Sequence, residues 1–232
     1  MEKKIVSAVV VAAGKGRRMK SDIDKQFIEL KGRSIVERTV EKFEKCSVID
    51  EIVLVTGAEH VDELDEMKTK CGWQKVSKVI CGGKERQHSV YNGLCALRND
   101  TDIVLIHDGV RPFIKNEEIE LMAEMASEKK ACVLAARVKD TIKVCDENGK
   151  VISTPDRSTL WAMQTPQAFE YSLIKEAYEK LEEGDMVTDD ASVAEKAGID
   201  VFIVEGGYDN IKITTPEDLY IAEAILKRNE DK

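Results

Sequence analysis

Short, nearly continuous apolar runs alternate along the chain with longer stretches whose apolar positions recur every three or four residues. This is the pattern of strands interleaved with amphipathic helices. Six runs read as strands: Ile5–Ala12, Glu51–Thr56, Lys75–Ile80, Asp102–His107, Ala131–Arg137 and Asp200–Val204. Most are apolar throughout, as strands of a parallel sheet covered on both faces should be. Helices are predicted over Glu59–Lys70, Gln87–Leu97, Glu117–Lys129, Ser172–Glu182 and Asp189–Ala197, with Gly198 suited to the position just past the last of these. Ser34 followed by Glu37 is a capping-box signature for a further helix burying Ile35, Val36, Val40 and Phe43. Thr215-Pro216-Glu217-Asp218 supplies an N-cap, a proline in the first turn and two early carboxylates, so a final helix is predicted to about Lys227. The alternation predicts an α/β fold: a mostly parallel sheet flanked by helices.

One segment breaks this order. Thr141–Cys145 and Lys150–Thr154 are strand-like runs around Asp146-Glu147-Asn148-Gly149, a hairpin signal. An isolated hairpin is marginal in water, so this protruding arm, about residues 138–158, needs a partner surface. The 232 residues suit one domain containing that arm.

Composition narrows the function. Thirty-five basic against 44 acidic residues give a net charge of −9, which leaves no electrostatic footprint for nucleic acid or an anionic membrane. The apolar run at Ile5–Ala13 is too short to span a bilayer and lacks signal-peptide flanks, so a cytoplasmic location is expected. The six cysteines (Cys46, Cys71, Cys81, Cys95, Cys132, Cys145) form no C-x-x-C pair and read as free thiols, with Cys81 and Cys132 expected to be packing residues.

Against that acidic background, residues 15–25 carry five basic side chains (Lys15, Arg17, Arg18, Lys20, Lys25) and two acidic ones, directly after the first strand and around Gly14 and Gly16. Backbone N–H groups freed by glycine, together with cations, suit a polyphosphate. The loop matches neither the P-loop pattern nor the dinucleotide fingerprint, since Met19 stands where the third glycine belongs. His107-Asp108-Gly109-Val110-Arg111-Pro112 ends the fourth strand, where open α/β sheets bind ligands. A carboxylate there can hold Mg²⁺ directly or through water, orient a substrate hydroxyl, or simply cap a turn. Arg157 and Lys212 offer a bidentate fork and a compact charge suited to phosphate, and each taken alone also reads as a surface ion-pair residue.

Together the stretches Ala12-Ala13-Gly14-x-Gly16-x-Arg18-Met19, Lys25-Gln26-Phe27, Gly82-Gly83-x-Glu85-Arg86-x-x-Ser89-Val90, His107-Asp108-x-x-Arg111-Pro112, Asp140-Thr141, Asp156-Arg157-x-x-Leu160-Trp161, Gln164-Thr165-Pro166-Gln167, Thr188-Asp189 and Asn210-Ile211-Lys212-Ile213-Thr214 resemble, in order, the 2-C-methyl-D-erythritol 4-phosphate cytidylyltransferases of the non-mevalonate isoprenoid pathway. The resemblance implies a nucleotide-diphospho-sugar-transferase-like (Rossmann-like) fold and a homodimer joined through its hairpin arms. It implies transfer of CMP from CTP to a small sugar-alcohol phosphate with Mg²⁺ or another hard divalent cation. By the same carry-over, Ala12, Ala13, Gly83, Lys84, Ser89 and Gly109 meet the base and ribose. Gly14, Gly16, Arg18, Lys25 and Lys212 surround the phosphates, with Arg18, Lys25 and Lys212 as the catalytic cations. Asp108, Arg111, Thr141, Arg157 and Thr165 meet the acceptor, Thr141 and Arg157 reaching across from the partner, and no residue beyond Asp108 is suggested as a metal ligand. The chain departs from the family pattern at Val11 (often proline), Lys84 (aspartate in some members) and Gly109-Val110 (more commonly Ala-Ala). Ribitol-5-phosphate cytidylyltransferase, which shares several of these runs, stays open as an alternative, as does a catalytically silent nucleotide-binding module on the same fold.

Overall fold

The computed structural model describes residues 3–14, 24–182 and 184–230. After β1 (Val6–Ala12) come two short strands, β2 (Glu29–Leu30) and β3 (Arg33–Ser34), then α1 (Ile35–Lys45), β4 (Glu51–Thr56), α2 (Val61–Cys71), β5 (Val76–Cys81), α3 (Arg86–Ala96), β6 (Ile103–Asp108), α4 (Asn116–Lys129) and β7 (Ala131–Arg137). The second half holds the arm strands β8 (Val144–Cys145) and β9 (Val151–Ser153), then β10 (Trp161–Glu170), α5 (Tyr171–Glu179), α6 (Asp190–Lys196), β11 (Phe202–Glu205) and α7 (Pro216–Glu230). The main sheet runs β11-β7-β10-β6-β1-β4-β5. All its strands are parallel except β10, which pairs antiparallel to both β6 and β7. The expected strands are therefore present within two residues at each end, and β10 is an addition to them. Its sequence, WAMQTPQAFE, lacks a clean alternation and contains a proline, both of which argue against a central strand. It is tolerated because the pairing with β7 shifts register between Met163 and Gln167, around Pro166.

The sheet divides two cores by side-chain parity. Ala8, Val10, Ile52, Leu54 and Leu105 face α1, α2 and α4 through Val40, Phe43, Leu64 and Met122. Val9, Val53, Val55, Val104 and Ile106 face α3, α5 and α6 through Val90, Leu94, Ile174 and Val193. Every residue of β4 and β6 is buried, in line with the continuous apolar runs. The edge strands differ. Cys81 on β5 is exposed, which corrects its expected packing role, whereas Cys132 on the interior strand β7 is fully buried, and burial raises its thiol pKa to about 12. None of the six cysteines is paired.

Local signals at the helix ends hold, with one difference. Ser34 Oγ accepts from the Glu37 N–H at 3.2 Å, but Glu37 returns no bond to Ser34; its carboxylate takes the Arg33 guanidinium at 2.7 Å instead. Gly198 adopts φ +77°, the left-handed conformation glycine supplies at a helix end. Asp218 caps the start of α7 by accepting from the Thr214 and Thr215 N–H groups. The arm is shorter than expected, two and three residues per strand in a sheet of its own. No helix among the described residues is long and apolar enough to cross a membrane.

Candidate active site

From β1 the chain proceeds outward to β4 and β5, then returns to β6 on the other side of β1, so the order in which strands are added reverses at β1. A cavity of about 560 Å³ opens at the carboxyl ends of β1 and β6, where open α/β sheets bind ligands. Val11 and Ala12 from β1 form its floor with Ala13 and Gly14; Asp108 enters from the end of β6, Ser89 from α3 and Lys212 from the segment before α7. The β5–α3 connection adds Gly83, Lys84, Glu85 and Arg86, and a three-residue 3₁₀ turn, Lys25–Phe27, adds Lys25 and Gln26. Among the described residues, four basic side chains (Lys25, Lys84, Arg86, Lys212) thus face two acidic ones (Glu85, Asp108) in a chain whose net charge is −9.

Close packing fixes the connection. A side chain at Gly83 would meet His88 Cβ at 2.3 Å, so only glycine fits there, and its N–H donates to Ser89 Oγ at 3.0 Å. Lys25 reaches back toward the end of β1, its Nζ 3.9 Å from where a Cβ on Gly14 would stand.

Asp108 is the electrostatic centre. Its Oδ2 accepts from Lys212 Nζ at 2.9 Å and Arg111 Nε at 3.3 Å, and its Oδ1 lies 3.5 Å from Arg86 Nε. Burial alone would push this carboxyl up, but Lys212, Arg86 and Arg111 outweigh that and hold it far below the usual carboxylate range. Arg86 in turn gives two parallel bonds, 2.8 and 2.7 Å, to the fully buried Asp190, which also accepts from the Tyr178 hydroxyl at 2.6 Å. Burial works against the guanidinium charge, yet Asp190 and then Asp108 more than compensate and raise its pKa.

Behind Asp108, His107 is fully buried and burial lowers its pKa to about 4, so the ring is neutral. Its Nε2 lies 3.1 Å from the Arg111 carbonyl, which can only accept, so the proton sits on Nε2 and Nδ1 accepts from the Thr165 hydroxyl at 3.0 Å. Thr165 Oγ1 also accepts from the Asp108 N–H at 3.0 Å, and its carbonyl accepts from Asn210 at 2.8 Å. This chain fastens the β10 insertion to the end of β6 and to the Lys212 segment.

Of the residues singled out from the sequence, Ala12, Ala13, Gly14, Lys25, Gly83, Lys84, Ser89, Asp108 and Lys212 line the cavity together. Gly16 and Arg18 lie outside the described residues. Gly109 packs against Ala12 just behind the wall, its N–H donating to the Val11 carbonyl at 2.8 Å. Arg111 and Thr165 are buried behind Asp108, with Arg111 Nη1 donating to the Asn210 carbonyl at 2.8 Å. Thr141 and Arg157 belong to the exposed arm, Arg157 donating to the Lys139 carbonyl, and neither lines this chain's own cavity. Arg86 and Gln26 are cavity residues to which the sequence suggested no role. Arg86 stands inside the Gly82–Val90 run, but its partner Asp190 is 104 residues away.

As a direct Mg²⁺ ligand Asp108 fits poorly, because three cations already neutralise it. Asp24, Glu59 and His60 bring one ligand atom each within 4.8 Å of one another. There His60 Nε2 lies 2.8 Å from Asp24 Oδ2 and Nδ1 2.8 Å from Glu63 Oε2, so both ring nitrogens meet carboxylates.

The family model for 2-C-methyl-D-erythritol 4-phosphate cytidylyltransferase matches residues 6–228. The chain belongs to this family. Membership makes it a nucleotidyltransferase, and the matched span includes both the cavity and the arm. A relative with the same family name from Alkaliphilus oremlandii is 50% identical over 227 residues, 97% of this chain and 96% of its own length. Among solved structures, the 4-diphosphocytidyl-2C-methyl-D-erythritol synthase of Anaerococcus prevotii superposes with a TM-score of 0.88 at 37% identity, covering 97% of each chain. The Thermus thermophilus cytidylyltransferase does so at 0.76 and 29%, covering 94% of this chain and 98% of its own.

Proposed function

We propose that the chain transfers CMP from CTP to 2-C-methyl-D-erythritol 4-phosphate, giving 4-diphosphocytidyl-2-C-methyl-D-erythritol and pyrophosphate. The observation that carries this reading is the cavity at the β1 and β6 ends, cationic within an acidic chain and walled by Val11–Gly14, Gly83–Arg86 and Lys212. Ala12, Ala13, Gly83, Lys84 and Ser89 hold base and ribose, with Gly109 behind them; Gly14, Gly16, Arg18, Lys25 and Lys212 hold the phosphates. An oxygen of the acceptor phosphate attacks the α-phosphorus in line, the bond to the bridging oxygen breaks, and pyrophosphate leaves with the electron pair. The nucleophile is already ionised near neutral pH, so no general base is needed; the protein aligns two anions and offsets the charge that develops. Lys212 is poised for this by Asp108, which holds its amine at the cavity wall.

A divalent cation would supply further charge neutralisation for the nucleotide phosphates; Asp108, already met by Lys212, Arg111 and Arg86, would be poorly suited to hold it directly. Two chains pair through their arms, and Thr141 and Arg157 of each serve the other's acceptor pocket together with Asp108, which Arg111 and Thr165 hold in place from behind. The exposed Ile142, Val144, Val151 and Ile152 support that pairing, and six unpaired cysteines suit the cytoplasm. Pyrophosphate release from CTP and Mg²⁺ is measured with methylerythritol 4-phosphate and ribitol 5-phosphate in separate reactions. Activity with the first alone is expected. Activity with the second alone moves the chain to the polyol branch, and none with either leaves a nucleotide-binding fold.

A further inference from the structure

The turn that carries Lys25 and Gln26 into the cavity is three residues long. Its own backbone bonds are few: Phe27 N–H to the Asp24 carbonyl at 2.9 Å and Ile28 N–H to the Lys25 carbonyl at 3.3 Å. Such a short 3₁₀ segment does not hold its place unaided, so what fixes its flanks also decides where the Lys25 amine stands. Both flanks meet one side chain. His60, in the 3₁₀ turn Ala58–His60 that follows β4, lies with Nε2 2.8 Å from Asp24 Oδ2 and its ring 4.5 Å from the Phe27 ring. Its other nitrogen is 2.8 Å from Glu63 Oε2 on α2. His60 does not line the cavity. It ties residues 24 and 27 to β4, a strand of the sheet, and to α2, which packs on the sheet through Leu64.

We propose that His60 is a positioning residue for Lys25, acting as a clamp on the two residues that bracket the Lys25-Gln26 pair. The proposal rests on the reading of Lys25 as the cation that offsets charge on the transferred phosphate. A displacement of about 1 Å in such a group costs on the order of 100-fold in rate, and a loosened turn should cost part of that.

The tests use the full-length chain. In His60→Ala, hydrogen exchange at the Phe27 and Ile28 amides, followed without substrate, is expected to speed up about tenfold, with β1 and α1 unchanged. Turnover should fall about tenfold while KM for CTP stays within about twofold. His60→Gln, which keeps a donor toward Asp24, should recover much of that turnover; His60→Phe, which keeps only the stack, should recover less. Asp24→Asn combined with His60→Ala should be no slower than His60→Ala alone, because both changes break one contact. Unchanged exchange at 27 and 28 overturns the clamp. Faster exchange with normal turnover overturns the link to catalysis. A wild-type chain inactive with both acceptors overturns the functional reading, and with it the role in turnover, while the exchange data still decide the clamp.

Discussion

The charge centre at the end of β6 and the hairpin arm are built on opposite terms. At the centre, Asp108 is 6% exposed and His107 not at all, and their polar contacts close within one chain: Asp108 on Lys212, Arg111 and Arg86, Arg86 on Asp190, His107 on Thr165. On the arm, Val151 is 52% and Ile152 65% exposed, and the strand carrying both, β9, pairs only with β8. Buried ions are stable only when each is matched, so the centre can be complete in a monomer. Exposed apolar side chains gain only when something covers them, so the arm is unfinished without a second surface. The two regions should therefore fail differently.

Stability of the centre gives the largest effect. Asp190→Asn leaves Arg86 without its buried counter-charge and should lower unfolding free energy by about 3 kcal/mol, read from urea denaturation. A change below about 0.5 kcal/mol would mean that the pair is not a structural necessity. Lys25→Ala should follow, reducing turnover at least about 100-fold with sedimentation unchanged from the wild type; a folded mutant with near-normal turnover removes Lys25 from its role.

Val144→Asp combined with Ile152→Asp attacks the arm alone. On the proposed pairing of arms, sedimentation should then show monomers, turnover should drop about tenfold or more because Thr141 and Arg157 no longer reach a second chain, and CTP should still bind. An unchanged dimer would place the interface elsewhere.

The smallest effect is a pH dependence confined to the centre. His107 titrates near 4 when folded, against an ordinary 6.5. Between those values the unfolded chain carries a proton that the folded chain does not, so its contribution to stability is full above 6.5 and is lost as the pH falls toward 4. From pH 7.5 to 5.5 the wild type should lose about 1 kcal/mol more than His107→Gln; parallel losses in urea titrations would show that the ring is not held neutral.

Much of this was legible in the residues because it depends on near neighbours. The β1, β4, β6 and β7 runs, the Ser34 cap, the left-handed Gly198 and the Asp146–Gly149 turn are each decided within a few positions, where side-chain periodicity and backbone sterics act. The resemblance located nine cavity residues for the same reason: short runs carry their own geometry, and the sheet brings their ends together.

What only the tertiary structure decided depends on residues far apart in sequence. β10 is a strand because β6 and β7 offer it two edges, against its own proline and mixed pattern. Arg86 is a cavity residue anchored by Asp190, and Arg111 turns inward to Asp108 and Asn210 rather than into the cavity. Cys81 is exposed because β5 is an edge strand. Propensity is a local property, whereas burial and charge pairing are set by whichever distant segment arrives beside a residue, and that is known only once the whole sheet is assembled.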